Sequence, residues 1–217
     1  MSAPAWERSL EVHTAAQTHA LAAALGAVLE TGDLLVLTGE LGAGKTTFTQ
    51  GLGEGLGVRA GIISPTFVLV RIHPNLPGGP RPGGPDLVHV DAYRLESAAE
   101  IDDIDLENTM DSAVTVVEWG RGRVEHLSDS RLEVELHRTR GGAAASAETP
   151  ETPETPAETG ASPVLDFDTD DDDEPRTVVI RGFGPRWAEA PTLPGPETMP
   201  GAGPLPGTTP QTPERNP

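Results

Sequence analysis

One lysine stands in this chain, Lys45, against fourteen arginines. It sits in the run Gly39-Glu40-Leu41-Gly42-Ala43-Gly44-Lys45-Thr46, which fits the spacing G-x-x-x-x-G-K-[ST]. Each residue type has a chemical use there. The glycines let successive backbone N–H groups curl round a phosphate without side-chain clash. A helix opening at Lys45 adds the partial positive charge of its N-terminus. An ammonium is a compact point charge that fits inside such a loop, where the planar fork of arginine does not. The Thr46 hydroxyl can ligate Mg²⁺ beside the phosphates, and Thr47 follows it on the same turn.

Phosphate loops work with carboxylates at nearby strand ends. Asp91 closes the apolar run "LVHVD" and Glu118 closes "VTVVE", so both acids are expected at strand C-termini on one edge of a parallel sheet. There they can hold a metal, its water shell, or the attacking water. Thr66, in "SPTF", is a loop hydroxyl of the kind that senses a γ-phosphate, although spacing alone leaves its role open. Trp119 either packs on the nucleotide or belongs to the core, and core is the default. His73, His89 and His126 lack partners at ligand spacing and read as structural. Arg94 either meets phosphate or pairs with an acid; with Arg121, Arg123 or a partner's residue it is also a candidate arginine finger.

Several elements must position these groups. Thr14 and Gln17 form a T-x-x-Q capping box for a helix running to roughly residue 30, with Gly32 beyond it. "DLLVLT", 33–38, is a short continuous apolar run, as in a strand buried on both faces. A helix over 45–56 follows the loop and stops near Gly57. "TFVLVRI", 66–72, and "DLVHVD", 86–91, read as strands of a long-looped hairpin. Ser97 and Glu100 cap a further short helix, and 113–119 is another buried strand. "RLEVELHR", 131–138, alternates apolar and charged residues and is expected to pair with "RTVVIRG", 176–182.

The intervening residues 141–175 carry eleven acids and no base, within a chain of net charge −19. Like charges, prolines and threonines cannot bury a core, so this insert reads as a disordered, solvated spacer. Such a long excursion from a hairpin costs little, because loop closure rises by only about 0.6 kcal/mol per doubling of length. Residues 73–86 form a Pro/Gly loop, and 188–217 read as a disordered Pro-rich tail. The expected organisation is therefore an ATPase domain over 1–140 plus 176–187, the insert, and the tail. The fold class is α/β: a P-loop NTPase with a mainly parallel central sheet flanked by helices and a C-terminal β-hairpin interrupted by the insert. The absence of cysteine excludes disulfides and thiolate metal sites. Neither a signal peptide nor an apolar run of about 20 residues is present. The chain reads as cytoplasmic, with no membrane association and no basic face of its own for RNA.

The chain lacks N-K-x-D, T-K-x-D and D-x-x-G, which guanine-specific enzymes use, so adenine is the expected base and ATP with Mg²⁺ the expected ligand. Taken in order, "GELGAGKTTFTQGLGEGLG", "SPTFVLV", "VHVDAYRLE" and "VTVVEWGRG" resemble the bacterial TsaE (YjeE) family. The resemblance covers roughly 10–140, and "GFGPRW" is similar to the family's closing strand. It implies a small ATPase required for threonylcarbamoyladenosine beside the anticodon of tRNAs that read ANN codons. The family's partners, TsaD and its paralogue TsaB, would make the transfer, and tRNA would be met only through that complex. The resemblance places the phosphate loop on Gly39–Thr46, the switch threonine on Thr66, the Walker B acid on Asp91, and a magnesium-binding acid on Glu118 beside Trp119. The region of Thr14 would lie near the adenine. Two rivals stand beside this reading: a P-loop small-molecule kinase, and a module that holds ATP only as a structural ligand.

Overall fold

The computed structural model describes residues 3–95, 97, 100, 101, 104, 106–138 and 174–200. In chain order it contains β1 (Trp6–Val12), α1 (Ala15–Gly26), β2 (Leu34–Gly39), α2 (Lys45–Leu56), β3 (Val70–His73), β4 (Asp86–Asp91), α3 (Glu107–Met110), β5 (Ala113–Glu118), β6 (Arg131–Arg138) and β7 (Arg176–Phe183). The strands form one sheet in the order β1-β7-β6-β2-β5-β4-β3. The four inner strands β6, β2, β5 and β4 run parallel; β3, β7 and β1 are antiparallel to their neighbours. This is the mainly parallel α/β sheet expected from the apolar runs.

The sheet separates two cores. Leu35, Leu37, Val116, Val134 and Ile180 face α1 and α2. Leu34, Val36, Val90 and Val117 face the other way, onto Ile101, Leu106 and Met110. Strands buried on both faces have no room for alternation, hence their continuous apolar runs. β6 does alternate: Leu132, Val134 and Leu136 join the helix-side core, and Glu135 on the opposite face meets Arg121 at 2.9 Å and Arg181 at 2.8 Å.

β6 and β7 pair from Arg131↔Phe183 to Arg138↔Arg176, so the hairpin read across the acidic insert is present. Residues 141–173 of the 141–175 insert and the tail beyond residue 200 lie outside the described residues, as does most of the short helix expected after Ser97, while Glu174 at the insert's end is described and pairs with Arg138. Residues 188–200, read from sequence as the start of a loose tail, are placed against the body instead. Met199 is buried in the helix-side core, Leu193 packs on it, and the Pro191 carbonyl accepts from Arg8.

Other boundaries differ from the sequence reading, and α1 ends at Gly26 rather than near residue 30. β3 begins at Val70 rather than Thr66, because the Pro65 carbonyl accepts from Val68 N (2.9 Å) and Leu69 N (2.7 Å) and holds 66–69 in a turn. β1 was not anticipated; it adds an edge to β7 with Trp6 opposite Gly182 and Val12 opposite Arg176.

α1 and α2 pack unusually close. A Cβ added to Gly51 would sit 2.3 Å from the His19 carbonyl oxygen of α1. Glycine inside a helix costs about 1 kcal/mol relative to alanine, and here backbone-to-backbone contact is what that cost secures. Close packing fixes α2, and with it the direction in which its N-terminus points.

Candidate nucleotide-binding site

In a parallel sheet, strand C-termini collect at one edge. Here that edge carries Gly39 at the end of β2, Asp91 at the end of β4 and Glu118 at the end of β5, with Asp91 in register with Glu118. Because β7 and β1 run antiparallel, Arg176 and the residues after Val12 reach the same edge.

The chain leaves β2 through a loop and enters α2 at Lys45. Gly42 and Gly44 take φ of 74° and 92°, left-handed values that other residues adopt only at a cost. Gly44 is the N-cap of α2 and offers no side chain, so the helix's first amides are left for a ligand. Lys45 is 6% exposed. Its Nζ donates to the carbonyls of Gly39 and Glu40, both at 3.0 Å, and lies 4.1 Å from the centre of the Trp119 ring. Burial pushes its pKa down, and the charges of Glu118 and Asp91 oppose that shift.

Asp91 is held on both oxygens. Oδ2 accepts from Thr66 Oγ1 at 2.5 Å and from Ser64 Oγ at 3.4 Å, and Oδ1 accepts from Tyr93 N at 2.9 Å. Thr66, whose role the spacing left open, therefore sits on the strand-end acid. Glu118 is bonded through Oε1 to His89 Nε2 at 2.8 Å, with both side chains buried. A carboxylate only accepts, so Nε2 is the donor of this bond. That bond engages Oε1 of Glu118. Sequence spacing gave His89 no partner; His89 and Asp91, two apart on one strand, share a face, and the bond to Glu118 is the contact that spacing did not show.

Trp119 is half-buried with φ of 60°, and its ring meets Tyr93 with centroids 5.3 Å apart. Thr46 and Thr47 occupy the first turn of α2 and are partly exposed. Thr47 also lines an open groove of about 600 Å³ with Ala15, Ala16, His19 and Pro200. Thr14 caps α1 beside that groove, its Oγ1 accepting from Gln17 N at 3.1 Å, while the Gln17 side chain takes His13 N at 2.7 Å. Among the finger candidates, Arg121 is tied to Glu135, Arg123 donates to the Ala92 carbonyl, and Arg94 is exposed. Arg176, which the sequence reading passed over, packs against Gly44.

Among the described residues no group of three or more His, Asp or Glu is arranged to hold a metal by itself. That suits magnesium on a phosphate loop, which takes one or two protein oxygens and completes its shell with phosphate and water.

A glycine loop between a buried strand and a helix, with a buried lysine and two strand-end carboxylates, defines a P-loop nucleotide-binding protein of the α/β class. The comparisons with known proteins narrow the class. The sequence profile described as "Threonylcarbamoyl adenosine biosynthesis protein TsaE" matches residues 12–145. A Streptomyces coelicolor protein named "tRNA threonylcarbamoyladenosine biosynthesis protein TsaE" is 44% identical over 167 residues, covering 76% of this chain and 90% of that protein. A Bacillus subtilis protein of the same name is 38% identical over 123 residues, 56% of this chain and 72% of that one. The solved structure described as "Crystal structure of Bacillus subtilus YdiB" superposes with a TM-score of 0.55 at 25% identity, covering 84% of this chain and 89% of the other. The chain belongs to the TsaE family.

Proposed function

We propose that this protein is an Mg²⁺-dependent ATPase that acts with TsaD and TsaB proteins in forming threonylcarbamoyladenosine next to the anticodon of tRNAs reading ANN codons. The observation that carries the ATPase part is the buried Lys45, held inside the 39–46 loop with Asp91 and Glu118 at the neighbouring strand ends. The tRNA part rests on family membership and on the names of the relatives. Among the described residues no helix is long and apolar enough to cross a membrane.

In this reading the Lys45 ammonium leaves the Gly39 and Glu40 carbonyls for the β- and γ-phosphates, and the loop amides and the α2 N-terminus share the charge. Thr46 Oγ1 and Glu118 Oε2 would hold magnesium, which supplies charge neutralisation at the transferred phosphoryl group. Asp91 has both oxygens engaged, so it acts by holding Thr66 and, through water, by ordering the metal's surroundings and the attacking water. The groove beside Thr14 and Thr47 accommodates the adenosine. Hydrolysis passes the γ-phosphoryl group to water, and contact with the partners accelerates it.

Depletion of the protein in its host, followed by mass spectrometry of tRNA nucleosides, tests the assignment. Threonylcarbamoyladenosine should fall and be restored by the wild-type chain but not by Lys45→Ala. Undiminished levels in a host with no second enzyme would refute it. Transfer of phosphate to a metabolite rather than to water would favour a kinase.

A further inference from the structure

Arg176 is 2% exposed and stands at the start of β7, on the phosphate-loop edge of the sheet. Its Nε and Nη2 reach no hydrogen-bond acceptor. Among the described residues its one bond, from Nη1, goes to the backbone carbonyl of Glu174 at 3.3 Å, while the Glu174 carboxylate pairs with Arg138 at 2.6 Å. Among the described residues, Arg121, Arg131, Arg181 and Arg186 each meet a carboxylate, and Arg176 meets none. An unpaired guanidinium in the interior is costly. Its position supplies a reason to keep it: a Cβ built on Gly44 would lie 3.6 Å from Arg176 Nε, so the guanidinium abuts the residue that caps α2. Lys45 on the same loop has Glu118 and Asp91 to answer its charge.

We infer that Arg176 is a second phosphate-binding cation of this site: its free Nε–Nη2 edge takes an oxygen of the nucleotide's phosphate chain when the loop around Gly44 closes on it. This rests on the nucleotide reading above and adds to it a residue 131 positions away from Lys45 in sequence. The ligand class is a nucleoside polyphosphate, and the contribution grows with phosphate charge.

The test uses the full chain as wild type, Arg176→Met and Arg176→Lys. Calorimetric titration with ATP, ADP, AMP and adenosine is combined with melting curves of the unliganded proteins. Hydrogen bonds to charged groups predict a roughly ten- to hundredfold weaker ATP affinity in R176M, a smaller loss for AMP and none for adenosine. R176K should retain part of the affinity. Unliganded R176M should melt at or above wild type, because it no longer buries an unpaired charge. ATP affinity in R176M equal to wild type overturns the inference. So does an equal loss for all four ligands together with a lower melting point, which is the mark of a structural residue. If R176M fails to fold, the ranking of the four ligands in R176K decides on the same terms. A wild-type chain that ignores both ATP and ADP removes the nucleotide reading itself, whereas wild-type binding with an indifferent Arg176 removes only this inference.

Discussion

His73 ends β3 with 2% of its surface exposed, and neither ring nitrogen has a hydrogen-bond partner. Burial pushes its pKa from the ordinary 6.5 to about 4, helped by the neighbouring His89, Arg59 and Arg71. The folded state therefore binds fewer protons than the unfolded chain between these two values. Stability is full above pH 6.5 and is lost as the pH falls toward 4. At about 1.4 kcal/mol per pH unit, the whole window is worth at most about 3.5 kcal/mol, a large share of a typical domain's roughly 5–15 kcal/mol. Replacing His73 by leucine removes the titrating group and an unsatisfied polar ring together. His73→Leu should be no less stable than wild type at pH 7 and should lose less stability down to pH 4.5. Urea unfolding of both proteins at half-unit pH steps measures this. Glu135 does not confuse the comparison: Arg121, first, and Arg181 hold its pKa at about 2, so its own acid sensitivity falls below pH 4.5. Parallel pH profiles for wild type and His73→Leu would refute the reasoning.

Two further substitutions probe the packing and the metal site. Gly51→Ala should destabilise the protein by about 2 kcal/mol in denaturant titrations, since overpacking at 2.3 Å from the His19 oxygen outweighs the gain in helix propensity; a stabilised variant would mean that α1 and α2 separate freely. His89→Ala should raise the Mg²⁺ concentration needed for half-maximal ATP hydrolysis by about tenfold or more, as losses of outer partners of metal ligands do. His89→Gln, which keeps a donor toward Glu118, should recover part of it, and an unchanged Mg²⁺ titration in His89→Ala would show that the 2.8 Å bond orients nothing.

Local chemistry made the site's backbone legible. The 39–46 glycine loop, the stop at Gly57 and the strand ends at Asp91 and Glu118 depend on residues near one another in sequence, and they stand where the spacing put them. β7 was legible for another reason: alternation on β6 demanded an antiparallel partner. β1 was not, because Arg8 interrupts its alternation and its partner lies more than 160 residues away. The run Thr66–Leu69 has the composition of a strand, yet Phe67 is 89% and Val68 53% exposed, since capture of two amides by the Pro65 carbonyl decides the conformation. The contacts of His89 with Glu118 and of Arg176 with Gly44 were not legible, because they arise from strand register and cross-chain packing. Neither leaves a local pattern.

Backbone strain explains how the lysine is kept in place. Two residues other than glycine have positive φ among those described, Leu69 at 65° and Trp119 at 60°, and both adjoin the site. Such conformations cost on the order of 1–3 kcal/mol each and persist where surrounding bonds impose them. Trp119 N donates to the Leu37 carbonyl at 2.9 Å, and the Leu69 carbonyl accepts from Asp91 N at 2.9 Å. The bent backbone at Trp119 sets its indole against the Lys45 ammonium, while the bend at Leu69 ties the Thr66 turn to the strand that carries Asp91. The lysine thus lies between two main-chain carbonyls and an aromatic face, all acceptors of a small cation and none of them an ion-pair partner. A phosphate, carrying full negative charge, competes with such acceptors more readily than it would with a carboxylate bonded directly to Nζ. A guanidinium, broader and planar, would have to displace the indole or open the loop, which accounts for a single lysine in a chain whose other cations are all arginine.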